Sequence, residues 1–213
     1  MKVIKPYAEI IGDIDGGEVL KKIERIGRVC YKSEGRIGEG TAEKLVANLI
    51  KRGHEAMLEH YSVSVRFVVD RGVSHELVRH RVASFAQEST RYCNYGKDDF
   101  GNEVTFILPN YLEVGTKPYR IWANSMQVAE DSYFALLGEG LPPEQARAVL
   151  PVSLKTEIVM TANLREWRHF FKLRAVGVTG KPHPQMLEVA VLLLDLMKKT
   201  IPIVFDDLEM EVK

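Results

Sequence analysis

The sequence predicts an α+β fold in which several long helices cover a small, mostly antiparallel sheet, built as one domain over residues 1–213. Three observations point there. Short stretches alternate apolar and polar residues with a period of two, longer ones repeat apolar residues at helical spacing, and no run rich in Ser, Gly or Pro separates them. With 46% hydrophobic residues the chain is long enough to bury one sizeable core and short for two.

Asp15 caps a first helix whose apolar positions are Val19, Leu20, Ile23, Ile26 and Val29, with Cys30 on the same apolar face. Thr41 is placed to cap a second, carrying Leu45, Leu49 and Ile50 and ending at Gly53. Tyr61, Val63, Val65, Phe67 and Val69 alternate with Ser62, Ser64 and Arg66, the pattern of a strand with one buried face. Arg71-Gly72 reads as a turn, Ser74 as the cap of a short helix through Val82, and the polar run from Ser84 to Asp99 as an ordered loop. Glu103 to Leu108 reads as a second strand, stopped by Pro109-Asn110.

From Pro118 to Leu137 the residues Trp122, Met126, Ala129, Tyr133 and Leu136 form a helical core stripe that Gly138 ends. Pro142-Pro143 opens a short helix that Pro151 stops, and Val152, Leu154, Thr156, Ile158 and Met160 alternate in a third strand. Asn163 follows, with Glu166 three residues on, which makes a capping box with Asn as the cap; a helix through Arg174 therefore starts where a strand ends, a junction that often holds ligands. The last helix runs from about Gln185 to Thr200, and its apolar run, broken by Asp195, is too short and too charged to span a bilayer.

Twenty-nine basic residues balance twenty-nine acidic ones, so no global field draws nucleic acid or an anionic membrane. A nucleic-acid module would show a basic pI and aromatics among its Lys and Arg, whereas this pI is near 7.0. Anionic ligands must be met locally. Arg79 to Arg91 holds three arginines against Glu88, and Asn163 to Arg174 holds four bases against Glu166. Two cysteines and no signal-peptide pattern make a reduced, cytoplasmic protein the expectation.

The string RHRVASFAQESTRY, Arg79 to Tyr92, concentrates three guanidiniums, an imidazole, two serines and an amide. Arg donates in a rigid fork that suits a phosphate or the imide edge of a pyrimidine, and hydroxyls and loop amides complete such a site. Taken alone, the same composition also fits a solvated basic loop. Arg79-His80-Arg81, Ser84, Ser89 and Arg91 match all six fixed positions of the RHRxxSxxxxSxR signature of the flavin-dependent thymidylate synthases, which the chain resembles from about residue 54 to residue 190. His54-Glu55 with Glu59-His60, Arg147 to Pro151, and Asn163-Leu164-Arg165 with His169 and Arg174 are similar to further elements of that family.

The resemblance implies reductive methylation of dUMP to dTMP, with FAD as cofactor and NADPH and 5,10-methylenetetrahydrofolate as co-substrates. It implies that His54, Arg79, His80, Arg81, Gln87, Asn163, Leu164, Arg165 and His169 hold the cofactor. Glu76, Leu77, Val78, Arg79, Gln87, Glu88, Ser89, Thr90, Arg91, Arg147 and Arg174 would hold dUMP, with Arg174 as the catalytic residue. It also implies a homotetramer that shares sites between subunits. Gln87, Glu76 and His169 stand where some relatives have Glu, Gln and Asn, and each keeps a hydrogen-bonding group.

The residues themselves are compatible with this chemistry. Uracil C5 must become nucleophilic, and a fixed guanidinium at Arg174 would stabilise negative charge on the imide, as an oxyanion hole does. No thiol is needed, and nothing in the sequence marks Cys93 as activated. Ser84 and Ser89 lie in no Gly-x-Ser-x-Gly turn. His54 and His60 are six residues apart, which misses the four-residue spacing of a helical metal pair, so no metal is expected; His60 and His75 read as structural. A flavoprotein reductase with another acceptor is the harder alternative, because the residues carry no Gly-x-Gly-x-x-Gly fingerprint and FAD enters through the resemblance.

Overall fold

A computed structural model describes residues 1–97 and 101–209. Its elements are β1 (Lys2–Ile4), β2 (Tyr7–Ile10), α1 (Gly16–Val29), α2 (Thr41–Lys51), β3 (Ser62–Asp70), α3 (Arg71–Leu77), β4 (Ala83–Gln87), β5 (Thr105–Ile107), α4 (Lys117–Gly138), α5 (Pro143–Ala146), β6 (Lys155–Asn163), α6 (Leu164–Phe171) and α7 (Pro184–Thr200). The class is α+β, as expected. Four strands form a sheet in the order β2-β3-β6-β4, and β1 pairs with β5 in a separate two-stranded sheet. Along β3 and β6, Ser64 meets Thr161 and the Tyr61 carbonyl accepts from Leu164, so residue numbers run in opposite senses and the pair is antiparallel. The small sheet departs from this rule, since β1 and β5 are parallel, Lys2 opposite Thr105 and Ile4 opposite Ile107.

The chain divides into two compact units, each assembled from three segments. The first comprises Met1–Tyr7, Phe67–Arg79 and Phe85–Val159; the second comprises Ala8–Arg66, His80–Ser84 and Met160–Lys213. In the first, Tyr95, Val104, Phe106, Met126, Tyr133, Ala146 and Leu154 form a buried cluster, with Trp122 packed against its edge. The stripe read on α4 is therefore core, and the Trp122 indole donates to Ser153 Oγ at 3.1 Å. In the second, Trp167, Phe170 and Phe171 of α6 interlock with Phe205, and the Trp167 indole donates to the Val63 carbonyl at 3.1 Å. Buried aromatics of this size dominate a core's apolar contribution. No helix among the described residues is long and apolar enough to cross a membrane.

Several local expectations need correction. Thr41 is the first residue of α2, not its cap; the cap is Gly40 at φ 69, and the Thr41 hydroxyl donates instead to Glu24 and to the Gly38 carbonyl. Arg71 opens a helix rather than a turn, because Asp70 caps it by accepting from Val73 N at 2.8 Å. Ser74 is then interior to α3, which ends at Leu77 rather than Val82. Part of the expected loop is a strand, β4, and the end of that loop at Asp99 lies outside the described residues. Cys30 is exposed at the C-cap of α1 rather than on its apolar face. The third strand begins later than its alternation suggested and runs on through Asn163.

Candidate functional site

The β6–α6 junction organises the second unit's site. Asn163 ends β6 and caps α6, its Oδ1 accepting from Glu166 N at 2.9 Å, so the expected cap forms. The helix buries Leu164, Trp167, Phe170 and Phe171, which leaves Arg165, His169 and Lys172 at i, i+4 and i+7 on one outward face. That face, with Asn163, Glu166, Glu55, Glu59 and Val82, lines a cavity of about 380 Å³. Arg168 is buried beside that face and shares Glu55 Oε1 with Lys172. It is 1% exposed, and its guanidinium takes Glu55 at 3.0 Å, Asp207 at 2.6 and 2.8 Å, and the Val204 carbonyl, which ties α6 to the segment after α7.

Past Phe171 the helix widens into a π-helical turn, Lys172–Val176, closed by Gly177 N donating to the Lys172 carbonyl five residues back. Gly177 at φ 80 ends it, where a Cβ would lie 3.1 Å from the Gly180 carbonyl. Arg174 sits in this turn and donates through Nε to His80 Nε2 at 3.3 Å. On the other side of the ring, His80 Nδ1 lies 3.4 Å from Glu166 Oε1. The ring packs edge-on against Phe170, centroids 5.1 Å apart, and lies 6.0 Å from the His169 ring.

Burial, then the Arg174 charge and then His169 push the His80 pKa down to about 4. Burial also raises the Glu166 carboxyl, an effect that His169 opposes. The His80–Glu166 contact has ion-pair geometry, but the imidazole is neutral near pH 7. Nε2 must then be the unprotonated nitrogen, since it accepts from a guanidinium that has no lone pair to offer, and the ring proton sits on Nδ1, the nitrogen 3.4 Å from Glu166 Oε1.

His80, Glu166 and His169 also bring three ligand atoms within 4.8 Å of one another, a spacing that a metal ion could use. The Arg174 N–H already engages His80 Nε2, and a dication there would face that guanidinium.

The first unit gathers much of the expected nucleotide set. Arg147 donates from a terminal nitrogen to Thr90 Oγ1 at 3.0 Å and from Nε to the Glu144 carbonyl at 3.1 Å, and Arg91 Nε pairs with Glu144 at 2.8 Å. Ser89 Oγ accepts from Arg91 N at 3.3 Å. Gln87 is turned inward, donating to Ser74 Oγ and Thr156 Oγ1. The Glu88 carboxylate is engaged by the Tyr95 hydroxyl at 2.8 Å and by Lys155 at 2.9 Å, beside a second cavity of about 440 Å³. Burial and Glu88 drive the Tyr95 phenol far above its usual range, so it is a neutral donor.

The remaining expected residues divide by exposure. His54, Arg79, Arg81 and Val78 are exposed and Glu76 is half-buried. Leu77 and Leu164 are fully buried, and Leu164 N is taken by the Tyr61 carbonyl, so the side chains of both belong to the core. His60 and His75, read as structural, are exposed. The sequence reading missed Glu166 as a partner of His80, Glu144 as a partner of Arg91, and Lys155 and Tyr95 as partners of Glu88. Glu166 carried a signal, its place in the capping box, but that signal pointed to the helix end.

Residues 16–203 match the family described as thymidylate synthase complementing protein. The flavin-dependent thymidylate synthase of Geobacter sulfurreducens is 33% identical over 187 residues, covering 84% of this chain and 78% of the relative. That of Pyrococcus furiosus is 34% identical over 174 residues, covering 81% and 69%. Among solved structures, PolB of Streptomyces cacaoi, a UMP/dUMP methylase bound with 5-Br dUMP, matches with a TM-score of 0.80 over 97% of this chain and 96% of that chain. At 23% identity the likeness is one of fold.

Proposed function

The chain belongs to the flavin-dependent thymidylate synthases, and from that membership we propose how its own residues divide the reductive methylation of dUMP to dTMP. FAD is the cofactor, 5,10-methylenetetrahydrofolate the carbon donor and NADPH the source of reducing equivalents. The donor set suits a flavin nucleotide: Asn163, Arg165 and His169 present an amide, a guanidinium and an imidazole around one cavity, a mixture that matches phosphates and a carbonyl-rich ring edge. With His54, Arg79, His80, Arg81, Gln87 and the backbone at Leu164, they hold the cofactor. When bound and reduced, the flavin supplies the hydride that completes the methyl group.

The chain's residues bind and polarise the pyrimidine. Ser89, Thr90, Arg91 and Arg147 take the nucleotide, a role supported by their meeting on one cluster with Glu144. Gln87 and Glu88, with Glu76 and the backbone of Leu77-Val78-Arg79, fix the base and sugar. Arg174 is the catalytic residue. Its charge offsets negative charge developing on the uracil imide and so raises electron density at C5, and its planar fork gives that charge a direction. The chain acts as a single domain within a homotetramer whose sites draw on more than one subunit; the exposure of Arg79, Arg81 and Arg91 suits ligands met from outside the chain.

The observation that carries this reading is the family match over 16–203, beside which Arg91 and Arg147 both meet Glu144 and Arg174 reaches His80. Purified protein supplied with FAD, NADPH, dUMP and methylene-folate should form dTMP and release the C5 hydrogen as tritium from labelled dUMP. A flavin that NADPH reduces and that dUMP with methylene-folate fails to reoxidise would instead indicate a reductase with another acceptor.

A further inference from the structure

Glu166 has no capping duty that requires its side chain. Asn163 Oδ1 already accepts from Glu166 N, and the Glu166 carboxylate turns to His80. It is 9% exposed, and placing a carboxylate there costs desolvation that a helix surface would not impose. Three consecutive contacts on His80 come from one helix: Glu166 at Nδ1, His169 across the ring at 6.0 Å, and Phe170 edge-on at 5.1 Å.

Arg174 lies within the π-helical turn. Residues 166, 170 and 174 are four apart, so a helix places them along one slowly turning stripe, which drifts by about 80° over eight residues at 3.6 residues per turn. Arg174 lies two residues into the wider turn over Lys172–Val176, and its Nε reaches His80 Nε2 at 3.3 Å. The helix therefore grips one imidazole at both nitrogens, by a carboxylate before the turn and by a guanidinium inside it.

We propose that Glu166 is a positioning residue: by accepting from His80 Nδ1–H it fixes the tautomer whose Nε2 accepts from Arg174, and so holds the catalytic guanidinium in its working direction. This rests on the reading of Arg174 given above. Losing the carboxylate frees the imidazole to place its proton on Nε2, where it opposes the Arg174 N–H. A protonated ring would do the same, and burial with the neighbouring Arg174 and His169 charges keeps the His80 pKa near 4, well below working pH.

The test uses Glu166→Gln, whose amide oxygen can still accept, against Glu166→Met, which keeps the length and removes the acceptor. Long-range ¹H–¹⁵N spectra of protein without flavin should show wild-type His80 protonated at Nδ1 near pH 7, the same for Glu166→Gln, and loss of that preference for Glu166→Met. In the loaded enzyme, Glu166→Met should lower kcat by about tenfold to a hundredfold, with KM for dUMP changed less, because misdirection of a catalytic group costs most in the transition state. FAD content and NADPH-driven flavin reduction should stay near wild type, and Glu166→Gln should recover most of the lost kcat. A wild-type His80 protonated at Nε2, or a Glu166→Met enzyme with unchanged kcat while Arg174→Ala is inactive, would overturn the proposal and leave the role of Arg174 standing. Full turnover by Arg174→Ala would remove the reading beneath it. Should Glu166→Met not fold, the wild-type tautomer decides alone.

Discussion

The two basic clusters are alike in composition and unlike in physics. Around His80, in the second unit, the imidazole is 4% exposed, the ring is walled by Phe170, and each ring nitrogen has one partner. Around Arg91, in the first unit, the ion pair with Glu144 has side chains 58% and 44% exposed. Water screens the second cluster, where such a pair contributes about 0–1 kcal/mol, whereas a buried polar group must be matched or its cost is felt in full. The buried cluster is thus preorganised before any ligand arrives. The exposed one has no such enclosure, and under the proposed function its order would come from the anion it binds.

The largest effect that would break this comparison comes from Arg174. Arg174→Ala should lower dTMP formation by about a hundredfold to a thousandfold, the loss typical of one donor aimed at developing charge, while FAD stays bound and NADPH still reduces it. Arg174→Lys should recover little, since it keeps the charge and loses the fork that reaches His80. If sites are shared between subunits, mixing Arg174→Ala with Arg91→Ala subunits should restore some activity, because part of the mixed sites would draw both arginines from unmutated partners. No recovery after verified subunit exchange would argue for sites built within one chain.

The next concerns pH, and it should appear only in the buried cluster. His80 has a lowered native pKa, so the unfolded state takes up its proton first, and stability is lost as pH falls from about 6.5 toward about 4. The groups facing the ring are Glu166, His169 and Arg174. Glu166 acts with the opposite sign: its raised pKa means the native state binds that proton more readily, which offsets part of the loss as pH falls. Unfolding free energies from urea titrations across that range should fall for wild type and fall less for His80→Gln, by on the order of 2 kcal/mol at the acid end. Identical pH profiles for the two proteins would mean that the native imidazole is not held neutral.

Arg91→Ala should sharpen the other side of the comparison. Removing one charge-assisted contact should weaken dUMP binding by about tenfold to a hundredfold, with FAD affinity little changed. Folding stability should move by less than about 0.5 kcal/mol, because an exposed pair is worth little. Calorimetric titration with dUMP and denaturant melts measure the two separately, and a large stability loss with intact dUMP binding would reverse the assignment.

These contrasts also show what the sequence could carry. Asp15 before α1, the stripe on α4 and the cap at Asn163 were legible because each rests on residues a few positions apart. Thr41 and Ser74 misled for the opposite reason. Both hydroxyls bond a carbonyl three residues back, Gly38 for Thr41 and Arg71 for Ser74, and add a distant partner, Glu24 seventeen residues away and Gln87 thirteen away, instead of accepting from an N–H further along the helix. β1 was invisible, three residues long and paired in parallel with β5 about a hundred residues on. In the site, the arginine motif pointed to the residues but not to their burial. Nothing in the string RHR says that His80 is enclosed while Arg79 and Arg81 are exposed, and a π-helical turn at Arg174 has no sequence signature of its own.

The smallest effect is expected from the thiols, of which each unit holds one. Cys30 is exposed at the C-cap of α1, and Cys93 is half-buried beside the Tyr95–Tyr133 cluster, where burial and the Glu88 charge push its pKa up. A raised pKa leaves less thiolate, the reverse of what a nucleophile adding to uracil needs. Cys30→Ala should therefore leave both activity and stability unchanged, and Cys93→Ala should cost about 0.5–1 kcal/mol in packing with turnover within a few-fold of wild type. Alkylation followed by mass spectrometry should label Cys30 well before Cys93. If Cys93→Ala instead lost turnover while folding and FAD content stayed intact, a thiol would be acting in the chemistry. The charge stabilisation assigned to Arg174 would then be secondary to covalent activation of the ring, and the first unit rather than the second would hold the reactive group.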